Sequence, residues 1–103
     1  MDELKTITPE QVEVLLEAGE DLEIVDVRED EEVQQGMIEG AKHIRMGEIP
    51  NNLDYFNKDK EYILVCRSGR RSENVAYFLQ ERGYKVINME GGMLGWNGEV
   101  IVK

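Results

Sequence analysis

One cysteine among 103 residues excludes an internal disulfide, and with one histidine beside it there is no Cys/His cluster of the kind that holds zinc. Cys66 is therefore a core thiol, a nucleophile or a redox sensor. Long apolar runs are missing too: none approaches the roughly 18 to 20 residues that cross a bilayer. The acidic start, Met1-Asp2-Glu3, is unlike the basic start of a signal peptide, so the expected compartment is the cytoplasm. No segment has the Pro, Ser or Gly bias of a disordered linker, and no repeat or low-complexity tract is present. The chain is too short for two ordinary domains, so residues 1–103 are expected to form one domain with one core and one site.

Positive charge is also scarce. Lys and Arg number 12 against 22 Asp and Glu, a net charge of −10, which argues against the basic surface that nucleic acids or anionic membranes require. The imbalance is uneven along the chain. Residues 1–39 hold 14 acids and 2 bases, whereas residues 40–103 hold 8 acids and 10 bases, so an anion-binding function belongs in the second part.

What is present alternates between strand and helix signals. Thr8, Pro9 and Gln11 read as a capping box with proline in the first turn. Ile7 and Val12 are spaced as a hydrophobic staple, and Val12, Leu15 and Leu16 make an apolar stripe ending before Gly19. Leu22 to Val27 is β-branched and short, a strand with Asp26 and Arg28 at its carboxyl end. The acidic stretch Glu29 to Gln35 suits a short helix stopped by Gly36, with its charges on a solvated face. Ala41 to Ile44 fits a brief strand, and Gly47 to Phe56 a connection holding one helical turn. Tyr62-Ile63-Leu64-Val65 is the most apolar run in the chain, as a central parallel strand buried on both faces requires. Ser72 to Arg82 puts Val75, Ala76, Phe78 and Leu79 on one helical face and stops at Gly83. Tyr84 to Met89 supplies another strand, after which Gly91 to Trp96 turns the chain. This alternation predicts an α/β layer fold with a parallel sheet.

The segment with chemistry is Cys66-Arg67-Ser68-Gly69-Arg70-Arg71, between a buried strand and a helix start, where successive N–H groups can converge on one point. A thiolate there gains from the helix dipole and three arginines, so its pKa is expected below the ~8.5 of a free cysteine. Gly69 provides the backbone freedom to wrap a tight loop around the sulfur. An inert core thiol is the bland alternative, but three arginines are costly beside a structural thiol and favourable beside an anion.

The loop from Cys66 to Ser72 resembles the active-site loop of rhodanese domains, with cysteine first, glycine fourth and Arg-Ser closing it. Asp26-Val27-Arg28 is similar to that family's Asp-Val-Arg, Gly36-Met37-Ile38-Glu39-Gly40-Ala41 to its Gly-His-Ile-x-Gly-Ala, and Gly91 to Trp96 to its Gly-Gly-x-x-x-Trp. The pieces fall in family order and span nearly the whole chain. The resemblance implies a three-layer α/β/α fold on a five-stranded parallel sheet, with the strand ending at Cys66 beside the one ending at Asp26, at a topological switch point. It implies a thiosulfate sulfurtransferase of the single-domain type. Cys66 would take the outer sulfur of thiosulfate or a related donor as a persulfide, and pass it to a thiophilic acceptor, a small molecule or a protein thiol. Ser68, Gly69 and Ser72 would bind through the loop, and Arg67, Arg70 or Arg71 would hold the departing dianion. No metal or organic cofactor is implied.

One departure is Met37, where the family usually has histidine; an acidified thiol needs no general base there. His43 is expected to be structural, Trp96 a packing anchor, and Arg71 a structural member held by backbone carbonyls. Arg28 is expected to pair with an acid from Glu29 to Glu32, and Asp26 to secure the strand end. Two other readings stay open. A cysteine phosphatase or arsenate reductase also cradles an anion above a low-pKa cysteine, but phosphatases place five residues between cysteine and arginine, whereas four separate Cys66 from Arg71. A non-catalytic binding or regulatory module of the same fold would not need Cys66 or the loop arginines.

Overall fold

The computed structural model describes residues 3–102. The amino-terminal helix α1 (Pro9–Glu17) starts as its local chemistry dictates. The Thr8 side chain accepts from the Gln11 amide at 3.1 Å, and the Gln11 side chain accepts from the Thr8 amide at 2.9 Å. The strands are β1 (Lys5–Ile7), β2 (Glu23–Asp26), β3 (Lys42–His43), β4 (Glu61–Val65) and β5 (Lys85–Met89). They form one parallel sheet in the order β1-β5-β4-β2-β3. β1 is the strand with no signal in the local sequence pattern. It has three residues with one apolar side chain, and its identity comes from pairing Lys5 to Ile7 with Ile87 to Met89.

β4 runs through the middle, and its side chains alternate between two cores. Tyr62, Leu64 and Cys66 join the cluster under α3 (Arg70–Glu81), which contributes Val75, Ala76 and Leu79. Ile63 and Val65 join the opposite cluster with Val12 of α1, Ile38 and Met89. Each of these fully buried aliphatic side chains contributes about 1.5–3 kcal/mol of transfer free energy. Helical segments on both faces of a parallel sheet give the expected three-layer α/β/α arrangement. The short helix α2 (Asp30–Val33) follows β2, and two short 3₁₀ helices, broken at Asn52, occupy Met46–Tyr55, where the sequence predicts one helical turn. Helix α3 begins at Arg70, two residues earlier than the apolar spacing implied, so Arg70 and Arg71 belong to its first turn.

The chain runs from β2 outward to β3 and then returns inside the sheet to β4. Asp26 and Val65 are register partners at the carboxyl ends of β2 and β4, and the Val27 amide donates to the Val65 carbonyl at 2.9 Å. This is the switch point, and Cys66 is the first residue beyond it.

Candidate active site

Cys66 lies where β4 ends and is 0% exposed. The loop then has to turn back over the sulfur before α3 begins. Gly69 makes that possible with a φ of 94°, a left-handed conformation that a side chain would strain, and a Cβ there would stand 3.0 Å from the Gly91 amide nitrogen. The turn aims backbone donors inward. The Gly69 amide donates to Cys66 Sγ at 3.1 Å and the Ser72 amide at 3.4 Å, and Ser72 Oγ stands 3.3 Å from the same sulfur. Burial pushes the Cys66 thiol up. Hydrogen bonding at Ser72, and from the Gly69 and Ser68 amides, outweighs burial and leaves the pKa below the ordinary cysteine value. Donors close to the sulfur lower the pKa, and not the charge of the three arginines to which the loop's composition points.

The predicted loop residues do come together, in different roles. Ser72 is fully buried and Gly69 is buried, whereas Arg67, Ser68 and Arg70 are exposed at the rim. Neither Arg67 nor Arg70 makes an ion pair among the described residues. Arg71 is engaged in a bidentate pair with Glu32, both bonds 2.8 Å. A carboxylate therefore holds Arg71, in place of the expected backbone carbonyls. It matches both arms of the guanidinium, as single carbonyls cannot. The sequence predicts a solvated face for Glu32, whose partner instead lies 39 residues away. The Arg71 guanidinium holds its carboxyl down to about 2.

Arg28 also departs from expectation. It pairs with Asp26 at 2.8 Å, both side chains buried, and donates to the Gly36 carbonyl at 2.8 Å. Asp26 Oδ1 already accepts from the Arg28 amide at 3.0 Å, so the carboxylate is fixed beside the guanidinium, and Glu32 offers Arg28 only a backbone oxygen at 3.5 Å. Asp26 secures the strand end as expected. His43 Nε2 lies 2.7 Å from the Arg28 carbonyl, which braces the same turn. Met37 is buried, and its backbone pairs with Ile101 in an antiparallel bridge. Trp96 packs against the second core, its indole N–H donating to the Glu99 carbonyl at 3.1 Å.

Two contacts that hold the loop, from Gly92 in the Gly91 to Trp96 turn and from Asn88, have no local sequence signal. Gly92 has a φ of 56°, and a Cβ on it would meet the Cys66 and Arg67 carbonyl oxygens at 2.5 Å. That close approach lets the Met93 and Leu94 amides donate to those carbonyls, both at 2.9 Å, so the Gly91-Gly92 turn clamps the base of the loop. Asn88, buried near the end of β5, reaches across to the loop from the other side. Its Nδ2 donates to the Gly69 carbonyl at 3.1 Å, and its Oδ1 stands 2.5 Å from Ser72 Oγ. A shallow depression of about 240 Å³ opens beside Gly69 and Asn88, lined among others by Ser68, Arg70, Glu73 and Glu90. Larger hollows around Leu22 and Lys60, and beside Trp96, include no loop residue.

The arrangement suits an anionic or polarisable atom at the sulfur, met by amides. Known proteins resemble this one over most of the chain. The profile of the Rhodanese-like domain matches residues 8–99. A Bacillus subtilis relative named "Putative sulfurtransferase YtwF" is 53% identical over 97 residues, covering 94% of each chain. The thiosulfate sulfurtransferase GlpE of Pseudomonas aeruginosa is 31% identical over 96 residues, 92% of this chain and 86% of that one. A crystal structure of a rhodanese-like domain protein from Staphylococcus aureus superposes with a TM-score of 0.91 at 41% identity, covering 97% and 99% of the two chains. Matched from near one end to near the other in sequence and in sheet topology, the chain belongs to the rhodanese-like domain family.

Proposed function

We propose that this protein is a sulfurtransferase that carries a sulfane sulfur on Cys66. The observation that supports this most directly is the pair of amides, from Gly69 and Ser72, aimed at a buried Sγ whose pKa is lowered. In the first half-reaction the Cys66 thiolate attacks the outer sulfur of the donor. With thiosulfate, the donor's S–S bond breaks and sulfite departs with the electron pair. In the second, a thiophilic acceptor attacks the outer sulfur of the persulfide and returns Cys66 as thiolate. No external oxidant or reductant enters, because sulfur moves between nucleophiles at constant overall oxidation state.

The loop amides of Ser68, Gly69 and Ser72 cradle the charged outer sulfur, and Arg67 and Arg70 attract the anionic donor. Arg71 keeps the helix start in place through Glu32. The donor is thus a small sulfur-bearing anion, and the acceptor a small molecule or a protein thiol. An excess of acidic charge disfavours nucleic acid and anionic membrane as partners. Among the described residues no helix is long and apolar enough to cross a membrane. A catalytic thiol that has to stay reduced suits the cytoplasm, and residues 1–103 act as one rhodanese-like domain.

The test is intact-mass spectrometry after incubation with thiosulfate, together with transfer of sulfur to cyanide. The wild-type chain gains the mass of one sulfur and turns over, and Cys66→Ser does neither while remaining folded. Full activity in Cys66→Ser, or a wild-type chain that takes up no sulfur from thiosulfate or small persulfides, overturns the proposal; the latter result would favour a binding module. Hydrolysis of an aryl phosphate through Cys66 would favour phosphatase chemistry.

A further inference from the structure

Ser72 Oγ stands between two partners, 2.5 Å from Asn88 Oδ1 and 3.3 Å from Cys66 Sγ. A serine hydroxyl has one proton to give. The other end of the Asn88 amide decides which partner receives it. Nδ2 donates to the Gly69 carbonyl, and turning the amide over would set its oxygen against that carbonyl. Oδ1 therefore stays towards Ser72, where it can only accept. At so short a separation the Ser72 proton lies between the two oxygens, since otherwise their lone pairs would oppose each other inside a buried site. Ser72 then turns a lone pair towards Cys66.

We propose that Asn88 is a positioning residue that holds the Ser72 proton away from Cys66, so that the loop amides alone support the thiolate and the hydroxyl does not quench it. The inner sulfur of a persulfide carries little charge and accepts this arrangement unchanged, while the outer sulfur takes the amides. A thiolate supported by amides alone is lowered in pKa yet less quenched than one that also holds the hydroxyl. It is the better nucleophile for it, because nucleophilicity falls as thiol pKa falls. The sulfur-carrying consequence rests on the function proposed above; the placement of the proton does not.

The charged groups on the elements packed around the loop come from several directions. They are Arg71 with Glu32 of α2, the buried Asp26–Arg28 pair after β2, Arg67, Arg70 and Glu73 on the loop and α3, and Glu90 after β5. None changes in the variants below. Cys66 is the chain's only thiol, so thiolate absorbance against pH, with Cys66→Ser as the blank, reads its ionisation without needing an alkylating agent to enter the site. Asn88→Leu frees the Ser72 hydroxyl to donate to the thiolate, and the midpoint is expected to move acidic by about one to two pH units. Mere loosening of the loop would weaken the Gly69 amide contact and move it the other way. Ser72→Ala is expected to leave the midpoint unraised, and to abolish the effect of adding Asn88→Leu. If Asn88→Leu fails to fold, Ser72→Ala alone decides. An unchanged or more basic midpoint in Asn88→Leu, or a raised midpoint in Ser72→Ala, overturns the proposal. Because the titration contains no donor, either result stands apart from whether Cys66 accepts sulfur.

Discussion

Charge is divided among the three loop arginines, and the division has consequences for single residues. Arg67 and Arg70 are free to meet an anion, whereas Arg71 is held by Glu32. Arg67→Ala and Arg70→Ala are therefore expected to raise KM for thiosulfate, with a loss in kcat/KM of about ten- to a hundredfold for whichever makes a direct charge-assisted contact. Steady-state kinetics at fixed salt measure this, and less than a twofold change for both would leave the amides alone as the anion's support. Glu32 adds a pH dependence of stability. Its carboxyl is lowered from 4.5 to about 2 by Arg71, so the contribution is fully present above 4.5 and is lost as pH falls towards 2. The pair is about one-third exposed, which limits its worth to about 1 kcal/mol or less. Glu32→Gln is expected to be less stable by that amount at neutral pH, and urea unfolding between pH 7 and 3 should show the difference narrowing. A gap that stays constant with pH would mean that the ionised pair is not its source.

At the scale of elements, the loop is held from three sides: by β4 beneath Cys66, by Asn88 of β5, and by the Gly91-Gly92 turn against the Cys66 and Arg67 carbonyls. The turn is the least tolerant of these. In Gly92→Ala the methyl group meets backbone oxygen at 2.5 Å, with no flexible side chain to yield, and the positive φ adds strain. A loss of about 1–3 kcal/mol in unfolding free energy is expected, accompanied by slower sulfur uptake at Cys66. Gly40→Ala is the control. Its φ is also positive but its Cβ meets nothing, so it should lose stability without the same loss of sulfur uptake. Equal losses of uptake in both variants would separate the turn from the loop's function.

For the whole molecule, a charge of −10 opposes the approach of a dianion that the loop attracts. The longest dimension is 33 Å, close to the screening length of about 30 Å at 0.01 M ionic strength. Under those conditions the entire charge acts on the donor. At 0.1 M the length is about 10 Å, so distant acids fade while Arg67 and Arg70 remain within reach. kcat/KM for thiosulfate is expected to rise between these ionic strengths and to fall again towards 1 M. A steady fall from the lowest salt upward would show that local attraction governs at every range.

Sequence by itself determined what depends on near neighbours. The capping box at Thr8, the apolar run of β4, the face of α3 and the position of Cys66 between strand and helix are readable because their signals lie within a few residues of one another. Tertiary structure decided what depends on distant partners. β1 is a strand because β5 stands beside it, Glu32 is held because Arg71 lies 39 residues on, and Asn88 meets Ser72 and Gly69 only once β5 lies against β4. Three arginines in a row look equivalent in the sequence. They differ in the fold because a helix start and a carboxylate from another layer claim one and leave two, and no local pattern encodes which acid will arrive.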